Sequence, residues 1–90
     1  MLKIVFTSKF KKEYKLAIKK GCDIKILENV ISLLQNNQSL PEKYKEHSLS
    51  GKYAGYRECH LAPDWLLIYK IDKKILILTL IRMGSHSDLF

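Results

Sequence analysis

The sequence predicts an α+β fold: an N-terminal strand, a two-helix hairpin, and then a three-stranded antiparallel meander, with the helices packed on one face of the sheet. Three observations carry that prediction. Apolar side chains alternate at the N-terminus, then recur at helical spacing as far as Leu34, and finally gather into three apolar segments divided by turn signals. Ninety residues bound the chain to one domain, 1–90, with a modest core.

Leu2, Ile4 and Phe6 alternate with Lys3, Val5 and Thr7, the period of an opening strand. Thr7 or Ser8 can cap a first helix, on which Phe10, Tyr14 and Ala17 share one face and Gly21 is a natural stop. Asp23 can cap a second helix whose apolar face is Ile24, Leu27, Val30, Ile31 and Leu34. From Asn36 to about Gly51 no periodicity survives, and a long loop is expected there. A strand follows, running from Tyr53 to Leu61. Tyr56, Glu58 and His60 lie on one of its faces, with Arg57, Cys59 and Leu61 on the other. Pro63-Asp64 makes a turn into Trp65–Lys70, a nearly continuous apolar run that reads as a central strand. Asp72-Lys73-Lys74 turns again into the longest strand, Ile75–Met83. Gly84 ends that strand, and Ser85–Phe90 is a short tail.

The formal net charge is +7, and it is unevenly placed. Residues 1–25 hold eight lysines against Glu13 and Asp23, a balance of +6, whereas the rest of the chain is close to neutral. A one-sided basic field favours a polyanionic partner, without choosing among DNA, RNA and an acidic protein. Lys9, Lys11, Lys12, Lys15 and Lys19 on the first helix are the docking candidates. No apolar run reaches the length of a membrane span, and the N-terminus lacks the apolar core of a signal peptide. Cys22 and Cys59 form no Cys-x-x-Cys pair and read as reduced thiols of a cytoplasmic protein.

The chemistry is concentrated in the second half. His47, His60 and His86 each lie near the end of an element, and imidazole moves protons near neutral pH. In a meander, His60 and Asp64 come together at one hairpin. With Arg82, His86 and the earlier His47 they suggest one site acting on a phosphodiester. Trp65 and Tyr69 read first as core; Phe90, an aromatic at the end of the chain beside a histidine and an aspartate, is placed to stack on an exposed base, with Trp65 as a second substrate contact. A metal site on His60, Asp64 and His86 is the competing reading, but the spacing matches no common zinc pattern, and no metal or other cofactor is expected. The nucleophile elbow of a serine hydrolase and the Walker loop are both absent.

Leu49-Ser50-Gly51, Tyr56-Arg57-Glu58-Cys59-His60, Pro63-Asp64-Trp65-Leu66-Leu67-Ile68-Tyr69 and Arg82-Met83-Gly84-Ser85-His86-Ser87-Asp88-Leu89-Phe90 together resemble the YafQ-type toxins of the RelE/ParE superfamily, over essentially the whole chain. That resemblance implies a RelE-like fold and a bacterial type II toxin that cleaves messenger RNA in the ribosomal A site. It also implies a cognate antitoxin that wraps the toxin, with the toxin monomeric alone and part of a larger assembly with that antitoxin. Family members cut RNA without a metal, by attack of the ribose 2′-hydroxyl on the adjacent phosphate. For this sequence the resemblance implies proton transfer by His60 and His86, in either order, with Asp64 orienting a histidine or acting as the base. Arg82 would stabilise the transition state, His47 would contact phosphate or assist proton transfer, and Phe90 would position a base. The alternative is a non-catalytic protein, either an RNA-binding module or a ParE-like inhibitor of a gyrase-type target.

Overall fold

The computed structural model describes all 90 residues, Met1–Phe90. β1 (Lys3–Phe6) leads into α1 (Ser8–Lys19) and α2 (Ile24–Gln35). A 3-10 turn at Glu42–Tyr44, the two-residue strand β2 (His47–Ser48) and a second 3-10 turn at Gly51–Tyr53 follow. The chain then forms β3 (Arg57–Ala62), β4 (Trp65–Asp72) and β5 (Ile77–Gly84), and ends in the single-turn helix α3 (His86–Leu89).

Local chemistry accounts for the helix ends. The Thr7 hydroxyl accepts from the Phe10 amide at 3.0 Å, and the Asp23 carboxylate accepts from the Lys25 amide at 3.1 Å, so each helix has one of its unpaired first-turn donors satisfied. Gly21 takes a φ of +78° between the helices, in the left-handed region where a side chain is disfavoured. The far end of α2 is tied back to the first strand, because the Leu2 amide donates to the Gln35 carbonyl at 2.8 Å.

The sheet is mixed, in the order β1-β5-β4-β3-β2. β3, β4 and β5 form the expected antiparallel meander, but β1 pairs parallel with β5, Ile4 opposite Leu78 and Phe6 opposite Leu80. This corrects the purely antiparallel picture. The helical hairpin carries the chain from β1 at one edge of the sheet to β2 at the other, and the meander then returns β5 beside β1 in the same direction. β2 is a second correction: the stretch expected as loop contains a short edge strand, His47 opposite Glu58, too brief to leave a period in the sequence. A third concerns boundaries. Tyr53 sits in a 3-10 turn ahead of β3, while Ile75 and Leu76 belong to the β4–β5 turn, exposed, with Leu76 at a φ of +57°. The tail read at Ser85–Phe90 is in fact α3.

Both long helices lie on one face of the sheet, as expected. Phe10 and Ala17 of α1 and Leu27, Val30 and Leu34 of α2 pack with Cys59, Leu61, Leu67, Tyr69, Leu78, Leu80 and Met83. The opposite face carries only a small apolar cluster of Tyr53, Leu66, Ile68 and Leu89. A β-bulge decides which face Arg82 joins. Tyr69 pairs with Leu80 but Ile68 pairs with Arg82, so Ile81 is an extra residue in β5. Strict alternation would put Arg82 on the helix-covered face with Leu78 and Leu80. The inserted residue turns it to the open face and sends Met83 into the core instead.

Candidate active site

The open face near the Pro63-Asp64 turn collects the histidines. Glu58 and His60 project there from β3 while their neighbours Cys59 and Leu61 enter the helix-side core. β2 supplies His47 from the strand next door, and antiparallel pairing brings Gly84, at the end of β5, opposite Leu66 and so to the same turn. α3 then carries His86 back over the turn. Its geometry rests on a capping box between Ser85 and Asp88, which holds the Asp88 carboxyl below its ordinary range through the Ser85 amide and hydroxyl. Gly84 lets α3 close in, because a Cβ at that position would lie 3.1 Å from the Asp88 side chain, which would have to give by a few tenths of an ångström. Leu89 anchors the turn of helix in the small open-face cluster.

Asp64 and His86 form the best-defined pair. Asp64 Oδ1 accepts from the His86 backbone amide at 2.9 Å and lies 2.8 Å from His86 Nδ1. The amide and then the ring hold the Asp64 carboxyl below its usual value. An ionised carboxylate only accepts, so Nδ1 carries the hydrogen and Nε2 is the ring atom left free to exchange a proton with a substrate. The His60 ring stands edge-on to His86 with centroids 5.6 Å apart, and the His47 ring is 6.1 Å from His60.

Glu58 joins the other two histidines. Its Oε1 is 3.3 Å from His47 Nε2 and 3.5 Å from His60 Nε2, and its side chain is only 4% exposed. His47 Nδ1 donates to the Lys45 carbonyl at 2.9 Å, so its contact with Glu58 is satisfied only with a proton between Nε2 and the carboxylate. Glu58 Oε2 is buried without a partner.

Arg82 closes the other side. Nη2 donates to Glu13 Oε2 at 2.7 Å, Nε to Glu13 Oε1 at 3.5 Å, and Nη1 to the Tyr53 hydroxyl at 3.4 Å. These acceptors hold the guanidinium firmly in its charged form. Arg82 and Asp64 share the wall of a cavity of about 290 Å³ with Glu13, Lys20, Trp65 and Ser85. Phe90 is 62% exposed and meets Tyr53 edge-on at 5.7 Å. The structure thus brings His47, His60, Asp64, Arg82, His86 and Phe90 to one end of one face. Trp65 borders the same cavity, but its ring belongs to the helix-side core and its indole Nε1 is buried without a partner. Lys9, Lys11, Lys12, Lys15 and Lys19 are exposed along α1 and stand outside the cluster.

Glu58, Glu13 and Tyr53 are the residues that sequence reasoning missed as members of the site. Glu58 had a signal, since alternation already placed it on the face of His60. Glu13 had a weaker one, as the only acid among the lysines of α1.

Residues 2–90 match the family model for the bacterial toxin of type II toxin–antitoxin systems, YafQ. The chain belongs to the YafQ toxin family. It is 42% identical over 88 residues to the mRNA interferase toxin YafQ of Escherichia coli strain K12, covering 97% of this chain and 94% of that protein. Among solved structures, a metal-bound toxin from Helicobacter pylori superposes with a TM-score of 0.94 at 48% identity, covering 100% of both chains. The matching chain of the E. coli DinJ–YafQ toxin–antitoxin complex superposes with a TM-score of 0.91 at 40% identity, covering 100% of this chain and 99% of that one.

The ligand atoms of His47, Glu58 and His60 lie within 4.8 Å of one another, and Glu58 keeps an unpartnered buried oxygen. Two imidazoles and a carboxylate fit a divalent transition ion. That trio differs from the His60, Asp64 and His86 set weighed from the sequence, because Asp64 is committed to His86.

Proposed function

We propose that this protein is an endoribonuclease toxin that cleaves messenger RNA on the ribosome and is neutralised by a cognate antitoxin. The observation that carries the reading is the Asp64–His86 pair beside His60, with Arg82 on the same face. Membership in the YafQ family and likeness to an mRNA interferase and to a toxin–antitoxin complex support it. The site belongs to a cytoplasmic toxin, monomeric on its own; no helix of the structure is long and apolar enough to cross a membrane.

Cleavage begins when a base removes the proton of the ribose 2′-hydroxyl. The 2′-oxygen attacks the adjacent phosphorus, the bond to the 5′-oxygen breaks, and an acid protonates the leaving oxygen. The products are a 2′,3′-cyclic phosphate and a 5′-hydroxyl. His86 Nε2 is one proton-transfer atom, oriented by Asp64; His60 is the other, with Glu58 behind it. General acid–base help of this kind contributes roughly 10²–10⁴-fold in rate. Arg82 meets the negative charge that accumulates on the phosphate oxygens, an interaction worth about 3–4 kcal/mol at the transition state. His47 contacts phosphate or relays a proton through Glu58. Phe90 stacks on the flanking base, with Trp65 contributing from the cavity wall, and aligns the 2′-oxygen for in-line attack. Lys9, Lys11, Lys12, Lys15 and Lys19 dock on ribosomal RNA.

The reaction proceeds without a metal. An ion held by His47, Glu58 and His60 would occupy lone pairs that proton transfer requires, so added zinc is expected to inhibit, whereas exhaustive chelation leaves cleavage intact. The deciding experiment incubates the protein with translating ribosomes and maps breaks on the messenger. Breaks in the A-site codon ending in a cyclic phosphate are expected. Translation arrest or topoisomerase inhibition without breaks would instead favour a non-catalytic inhibitor, and cleavage lost on chelation and restored by zinc would favour the metal enzyme.

A further inference from the structure

The guanidinium that meets the phosphate is not free, and the way it is held carries a further role. Glu13 takes the Nε–Nη2 edge of Arg82 side-on, at 3.5 and 2.7 Å, and the same Oε1 accepts the Met83 backbone amide at 3.0 Å. Two consecutive residues of β5 are therefore fastened to one carboxylate on α1. Both side chains are largely withdrawn from water, at 20% and 17% exposure. An arginine has five N–H donors in a planar fork. Glu13 uses the Nε donor and one on Nη2, while Tyr53 receives one from Nη1. One hydrogen on Nη1 and one on Nη2 are left over, away from the Glu13 edge, to meet the oxygens of a phosphate.

We propose that Glu13 is a positioning residue for the cleavage reaction, clamping one edge of Arg82 so that its remaining hydrogens are presented, already oriented, to the scissile phosphate. The role rests on the endoribonuclease reading above. An unclamped arginine side chain would lose rotamer freedom on gripping its substrate. The clamp meets that cost during folding, so that stabilisation of the transition state needs little reorganisation. It also explains why a helix of lysines keeps one acid facing the sheet. Through Glu13, the helix that carries the docking lysines is joined directly to the arginine of the site.

The test is Glu13→Gln, which keeps an oxygen to accept the Met83 amide but loses the charged fork. Cleavage kinetics on programmed ribosomes are expected to show kcat lowered about 10- to 100-fold with KM unchanged in a folded protein. In an Arg82→Ala background the same substitution is expected to add no further loss. The Nε–H of Arg82, followed by ¹⁵N relaxation in the isolated toxin, is expected to be rigid in the wild type and mobile in Glu13→Gln. Wild-type or raised kcat in the folded variant overturns the clamp, as does an equal loss in the Arg82→Ala background. Should the wild type itself cut no RNA, the endoribonuclease reading falls. The relaxation experiment then still decides the clamp: equal mobility of Arg82 Nε–H in both proteins overturns it, and rigidity lost only in Glu13→Gln supports it.

Discussion

The two faces of the sheet are built from the same three strands and do opposite jobs. Along β3, Cys59 and Leu61 enter the helix-side core while Glu58 and His60 face the open side; along β4, Leu67 and Tyr69 go one way, Leu66 and Ile68 the other. The helix-covered face is apolar and closed, and burial pushes the Cys59 thiol up to about 12, with Glu46 and Glu58 adding to the effect, so it stays protonated and unreactive. The open face is thinly covered, and its polar groups pair with one another at its edge. What the contrast teaches is that scaffold and chemistry can be substituted independently in a chain this small, because neighbouring residues in a strand answer to different constraints.

The sharpest way to break that separation is to damage each face in turn. Leu67 is fully buried on the helix side, and Leu67→Ala should cost about 2–5 kcal/mol, a large part of the stability of a small domain. His86 is exposed on a single-turn helix, so His86→Ala should leave the melting temperature nearly unchanged while abolishing RNA cleavage. Thermal melts and ribosome cleavage assays on both variants check this; full activity in folded His86→Ala would remove His86 from the mechanism.

Arg82→Ala comes next in size. Its loss should lower kcat by about 3–4 kcal/mol of transition-state stabilisation. A modest drop in melting temperature should accompany it, because Glu13 is left with a half-buried, half-paired charge. Arg82 is the one proposed catalytic side chain tied to both sides of the sheet, by Glu13 from the helix layer and Tyr53 from the open face. It should therefore be the site variant whose stability and activity move together.

The lysines of α1 sharpen the comparison from outside. Replacing Lys11, Lys12 and Lys15 with glutamine should weaken ribosome binding and reduce the steepness of its salt dependence by about 2–3 in the log–log slope, with cleavage at saturating ribosomes preserved. Titrations at several salt concentrations read this directly. An unchanged slope would mean that these exposed side chains do not touch ribosomal RNA.

How much of this was legible in the sequence follows from the range of the forces involved. Asp23, Gly21 and the Pro63-Asp64 turn act through neighbours a few residues away, and their roles could be read directly, while the first cap could be narrowed to Thr7 or Ser8. The alternation of Glu58–Leu61 likewise fixed which residues share a face. Three features could not be read. β1 reaches β5 across 74 positions, so its parallel pairing leaves no local trace. β2 owes its two paired residues to β3 rather than to its own pattern. The bulge at Ile81 shifts Arg82 to the other face, and a single inserted residue in an apolar run looks like any other strand residue. Glu13 was obscured for a related reason: its partner lies 69 positions away, and among lysines a lone acid reads as charge balance.

The smallest effect expected is that of Asp64, and its sign is fixed by its hydrogen bonds. The carboxyl is lowered from 3.8 by the His86 amide first and the His86 ring second. A carboxylate whose value in the folded protein lies below its unfolded value contributes stability that is present above the unfolded value and is lost as pH falls through the folded one. The group is fully exposed, so solvent screens the pair and the contribution is slight. Acid unfolding of the wild type and Asp64→Asn should therefore coincide at pH values well below 3.8 and separate slightly above it, the wild type being the more stable. In activity the substitution should matter more than in stability, since an amide can donate to Nδ1 as readily as accept from it and no longer fixes which nitrogen of His86 carries the hydrogen. Acid titration of both proteins, paired with cleavage rates at neutral pH, checks the two halves. Equal cleavage rates would mean that Asp64 merely caps the His86 amide and leaves the ring to orient itself.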